Sequence, residues 1–132
     1  MMIRHSICYA AIGLLISTLA AMSEDVPDAL SVEWQGQHPC EKLYEDAEIR
    51  AMRCTLAPGA AHVRHSHPGN LVYTIGDGKA KVQDDKGTRE GQPKTGGFIN
   101  NPPIPWHEVT NIGDTTLSFL VIEKKYEPVA TK

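Results

Sequence analysis

Ala61–Gly78 reads AHVRHSHPGNLVYTIGDG. Short alternating or apolar runs in this stretch break on Pro68-Gly69-Asn70 and on Gly76-Asp77-Gly78, which are turn residues. No helical periodicity intervenes, so the stretch predicts two strands and a turn. The same punctuation recurs outward in both directions, at Pro58-Gly59, Asp85-Lys86-Gly87, Pro102-Pro103 and Asn111-Ile112-Gly113-Asp114. Candidate strands are Leu30–Trp34, Lys42–Tyr44, Glu48–Leu56, Ala61–Ser66, Leu71–Ile75, Ala80–Asp84, Phe98–Asn100, His107–Thr110 and Thr116–Lys124. Many short strands at even spacing predict an all-β sandwich or barrel.

His65 and His67 are one residue apart, and on a strand such positions share a face. Neutral imidazole is the commonest protein ligand for divalent ions, so the pair is a candidate metal half-site. Alternation puts Val63 on that face and sends His62, Arg64 and Ser66 to the other. His62 is therefore expected outside, unless a bulge shifts the register. Taken alone, His65-Ser66-His67 reads equally as two surface histidines.

The wider spacing changes that reading. Gly59 precedes His65 with five residues between them, and Gly78 closes the following strand. Downstream, Gly96, Pro102, His107 and Asn111 follow in order. This arrangement resembles the two motifs of the cupin superfamily, over roughly residues 43–123. The resemblance implies a double-stranded β-helix, the cupin jelly-roll barrel, with one divalent metal ion (Fe, Mn, Ni or Zn) on His65, His67 and His107. The sequence departs from the motifs at Ile104, where the second has glycine. It departs again at Leu71, where many cupins carry a carboxylate ligand.

Alternation carried on from the histidines places Leu71, Tyr73 and Ile75 inside, with Val109 beside His107. Leu71, Tyr73, Trp106 and Val109 are thus the expected substrate pocket, Trp106 either lining the mouth or simply packing there. Asn70 and Glu108 are candidate extra ligands, although Asn70 suits a turn and Glu108 should point outward. Arg50 and Arg53 could meet an anion, or sit on a wet strand face. Three neutral imidazoles leave an ion's charge uncompensated and favour a small anionic or chelating molecule. The resemblance allows dioxygenase, isomerase or lyase chemistry, and equally a barrel that holds a small ligand or metal without turnover.

The chain has 132 residues and a formal net charge of −3. This mild acidic balance gives no basic patch for nucleic acid. Residues 1–23 form a basic start, the apolar run Ile7–Ala21 and small residues, the layout of a secretory signal peptide. The run is too short to span a bilayer comfortably. The expected mature chain, residues 24–132, is one domain with its core over about 40–124, periplasmic or secreted and without a stable membrane association. In an oxidising compartment Cys40 and Cys54 can pair across neighbouring strands, or stay as two buried thiols. Residues 24–29 are expected to be a mobile lead-in, and the edge of Leu30–Trp34 to favour a homodimer.

Overall fold

The computed structural model describes residues 25–130, so the expected signal segment lies outside the described residues. Among the described residues nine strands run in chain order: β1 (Cys40–Glu45), β2 (Ile49–Leu56), β3 (Ala61–His67), β4 (Asn70–Gly76), β5 (Ala80–Asp84), β6 (Gly87–Gly91), β7 (Phe98–Asn101), β8 (Ile104–Asn111) and β9 (Leu117–Lys124). They form two antiparallel sheets, one ordered β1-β2-β9-β4-β7 and the other β3-β8-β5-β6. Strands distant in sequence are neighbours in each sheet, and the two sheets face one another as a jelly roll.

The core follows from strict alternation along β2 and β9. Met52, Cys54 and Leu56 point inward and pair with Val121, Phe119 and Leu117, while Arg53 and Thr55 face water. Two apolar clusters result. One joins Ala29, Cys40, Met52, Cys54 and Val121. The other joins Leu56, Ala60, Ala80 and Leu117. Two motif glycines have steric reasons. Gly96 has φ of 84°, the left-handed region open mainly to glycine. At Gly78 a Cβ would overlap the Leu117 side chain. The motif asparagine, Asn111, is buried and ties its turn together. Its Nδ2 donates to the carbonyls of Leu56 and Thr115, and its Oδ1 accepts from the Gly113 amide.

Several expectations are corrected. Leu30–Trp34 is not a strand. Asp28 caps a turn there by accepting from the Leu30 amide, and Ala29 is fully buried. The lead-in instead lies along the outer edge of β3, with an Asp28–Ser66 bridge and the Ser66 amide donating to the Pro27 carbonyl at 2.8 Å. That contact covers an edge that would otherwise present unpaired backbone groups. β6, GTREG, was not expected as a strand. All five of its residues are exposed, so it carries no apolar alternation to read.

Candidate metal centre

His65 and His67 come from β3, and His107 from β8 directly opposite His65 in the ladder. The structure brings the three together, within 4.8 Å of one another by their ligand atoms. His65 is fully buried and His67 nearly so. Their tautomers follow from their partners. The His65 Nδ1–H donates to the Val63 carbonyl at 2.6 Å, and the His67 Nδ1–H donates to the Glu123 carboxylate at 2.6 Å. Each Nε2 is left as a lone pair. These two atoms are 3.0 Å apart, and His107 Nε2 is 2.8 Å from His65 Nε2.

Two bare lone pairs at that distance repel each other. A proton on His107 Nε2 satisfies its contact with His65 but not the one between His65 and His67. A shared cation satisfies all three. Two nitrogens at about 2.1 Å from one ion and at right angles to each other lie about 3.0 Å apart. The donor set therefore fits a metal ion, and the site could hold one. Burial, reinforced by the neighbouring imidazoles, drives the His65 pKa far below its ordinary value. The same causes lower His107 to about 3. Both rings stay neutral and keep their lone pairs across the physiological range.

Glu123 is a site residue the sequence reading missed. It is 1% exposed and sits on β9, accepting from His67 Nδ1 and from Arg50 Nε, both at 2.6 Å. A carboxylate behind a ligating histidine fixes its tautomer and ring direction. A sequence signal existed: Leu117, Phe119 and Val121 alternate inward, and Glu123 is the next residue on that face. Arg50, expected on a wet face, is the counter-charge of this buried group, with Asp28 3.6 Å from its other side.

His62 overturns its expectation. It is 4% exposed and lines the cavity, with its ring stacked on that of His65 at 3.5 Å between centroids. The β3–β8 register shifts between His62 and His65, and this bulge turns His62 in and Val63 out, toward Arg64 and Glu108 on the outer surface. Burial lowers its pKa to about 4, and its Nε2–H donates to the Ala29 carbonyl at 2.8 Å.

The expected pocket is half corrected. Val109 lines the cavity. On β4 the inward residues are Asn70 and Val72, not Leu71, Tyr73 and Ile75; Tyr73 and Ile75 are each 44% exposed. The Pro68-Gly69 turn resets the alternation, so parity counted through it from His67 arrives one residue out of phase. The inward side chain next to Leu71 is thus Val72. Trp106 faces away from the cavity, with the Arg64 guanidinium 4.3 Å over its ring. Asn70 is held by its neighbours: its Nδ2 donates to the Pro68 carbonyl and its Oδ1 accepts from Asn101. Arg53 pairs with Glu41 on the surface. The sulfurs of Cys40 and Cys54, opposed on β1 and β2, are bonded. The cavity, about 220 Å³, is walled by aliphatic side chains including Leu56, Val82 and Ile104, and Arg89 of β6 stands at its edge.

Similar folds occur among solved structures. A cupin domain from Bordetella pertussis is 21% identical, with a TM-score of 0.62, covering 76% of this chain and 96% of that one. An RmlC-like cupin family protein from Methanocaldococcus jannaschii is 18% identical, with a TM-score of 0.55, covering 70% of this chain and 86% of that one. The polyketide cyclase RemF from Streptomyces resistomycificus is 18% identical, with a TM-score of 0.53, covering 65% of this chain and 63% of that one. At such identities the likeness is one of fold. No curated protein matches this chain significantly. The profile of the Cupin_2 family, described as a cupin domain, matches residues 52–123, which span both histidine-bearing strands and Glu123, and the chain belongs to that family.

Proposed function

We propose that this cupin binds one divalent metal ion through Nε2 of His65, His67 and His107, and that a small anionic molecule takes the ion's remaining positions. The observation that carries this reading is the pair of Nε2 lone pairs 3.0 Å apart, each fixed by a proton committed elsewhere. None of the three imidazoles neutralises the ion. The charge of Glu123 is offset by Arg50, so the centre attracts an anion; Arg89 at the cavity edge is itself paired with Asp84. The volume suits a small molecule with an apolar body. A bound ion supplies Lewis acidity to a chelated oxygen, which suits an enzyme of dioxygenase, isomerase or lyase type.

A specific observation favours the second reading, a barrel that binds without turnover. Among the described residues lining the cavity there is no carboxylate to serve as general acid or base. Metal analysis after loading with iron, manganese, nickel or zinc tests the shared premise. One ion per chain is expected, and His107→Ala should lose most of it. Equal content in both proteins would place the ion elsewhere. Release of an altered product from a candidate small acid then separates enzyme from binder.

Export and dimerisation are also part of this proposal. Residues 1–23 support export, and N-terminal sequencing of secreted protein tests it. Exposed Tyr73, Ile75 and Phe98, side by side on the outer face of β4 and β7, support a homodimer in place of the Leu30–Trp34 edge. Light scattering showing a monomer at high concentration would remove that idea.

A further inference from the structure

A second donor set lies beside the histidine cluster. Cys40, Cys54 and His62 are 4%, 5% and 4% exposed, and their ligand atoms lie within 4.8 Å of one another. None of them belongs to the first cluster. The His62 Nε2–H donates to the Ala29 carbonyl, which leaves Nδ1 as the lone pair. Nδ1 is 3.6 Å from Cys40 Sγ. In the disulfide that sulfur carries no hydrogen, so a buried imidazole acceptor faces an atom that cannot donate to it.

The geometry points to a second, redox-gated metal site, in which the dithiol form of the chain binds one thiophilic cation such as zinc through Cys40 Sγ, Cys54 Sγ and His62 Nδ1. Two thiolates and an imidazole form a soft donor set of the kind such ions prefer. Around a tetrahedral ion, sulfur at about 2.3 Å and nitrogen at about 2.0–2.1 Å lie about 3.6 Å apart. That is the spacing already present between Cys40 and His62. Cys40 Sγ is also 3.8 Å from Nε2, so the ring must tilt to direct Nδ1 at the ion, and the two sulfurs must part. Cys40 opens β1, and pairing from Glu41 to Glu45 continues to hold that strand to β2 as its first residue shifts.

The chemistry balances. A dithiol reductant gives two electrons and two protons to the S–S bond and closes to its own disulfide. The cation then displaces the two thiol protons. Two thiolates cancel the ion's charge, so the filled site is neutral. That neutrality lets it stand beside the first centre, although the His62 and His65 rings stack at 3.5 Å.

Cobalt(II) is the probe. The full chain carrying Cys8→Ser, which leaves Cys40 and Cys54 as its two cysteines, and His107→Ala, which disables the first centre, is reduced with a dithiol, desalted under argon and titrated, with folding followed by circular dichroism. The dithiol form should bind one equivalent and show a thiolate-to-cobalt charge-transfer band that the disulfide form lacks. Adding Cys54→Ser should abolish the band. Adding His62→Gln, which roughly keeps the ring's volume, should weaken binding by about tenfold or more. A folded dithiol chain without the band overturns the proposal. So does a band of unchanged affinity with His62→Gln, and so does a dithiol chain that stays unfolded in the presence of cobalt.

Discussion

The β2–β9 pair and the β3–β8 pair meet the same requirement, a strand against its neighbour, in opposite ways. β2 and β9 match residue for residue from Ile49–Lys124 to Leu56–Leu117. β3 and β8 shift register twice, between His62 and His65 and again between His65 and His67. The unbroken ladder keeps alternation intact and supplies Met52, Cys54, Leu56, Leu117 and Val121 to the core. The broken one gathers His62, His65 and His67 on a single strand, more inward rings than strict alternation over those residues allows. Regularity here builds the wall, and irregularity concentrates donors, as bulges beside functional sites commonly do.

The contrast is sharpest at Glu123, which stands on the regular ladder but serves the irregular one. Glu123→Ala should cost about 3–5 kcal/mol, because it removes a buried carboxylate and leaves the buried His67 Nδ1–H without its acceptor and the half-buried Arg50 with only Asp28, and should lower metal uptake as well. Urea unfolding and metal content check both effects; an uncoupled result, with stability lost and uptake intact, would detach Glu123 from the site. Met52→Ala, fully buried on the regular ladder, should cost about 3 kcal/mol through its cavity alone. Its metal content should not change, and a fall would mean that wall and site are not separable.

Acid tests the irregular side. His62 is neutral when folded, with its pKa lowered from 6.5 to about 4 by burial. Its contribution is complete above pH 6.5 and is lost as pH falls toward 4, since the unfolded chain takes up a proton that the folded chain refuses. Between about pH 7 and about pH 5 the chelator-treated chain should lose about 2 kcal/mol through this group. In His62→Gln the drop over that range should shrink, and an undiminished drop would assign the acid sensitivity to the other histidines. The smallest effect is expected at Leu71→Glu. That side chain points away from the cavity, so stability should move by no more than about 0.5 kcal/mol and metal affinity not at all. Tighter metal binding in this variant would reinstate Leu71 as the position facing the ion.

What could be read from the sequence follows the same division. Turn residues fixed most strand boundaries, and the alternation of His65 with His67 survived the bulge that separates them from His62. His107 was found through motif spacing. Errors arose wherever alternation was carried across an interruption: through the bulge for His62 and Val63, and through Pro68-Gly69 for Leu71 and Tyr73. β6 lacked any apolar pattern. Glu123 and Arg50 could be placed on strands, but their contact joins β2 to β9 at a separation of 73 residues, and local alternation cannot show which charge meets which.

That separation also bears on the order in which the centre comes into being. His67 waits for a carboxylate 56 residues later in the chain, and His65 for a ring 42 residues later. Contacts this distant form slowly, because chain closure precedes any reward for it. During synthesis β3 emerges long before β9, the last of the described strands, which carries the group that orients His67. Assembly of the triad is therefore a late product of folding, and uptake of the proposed ion would report that β9 has docked.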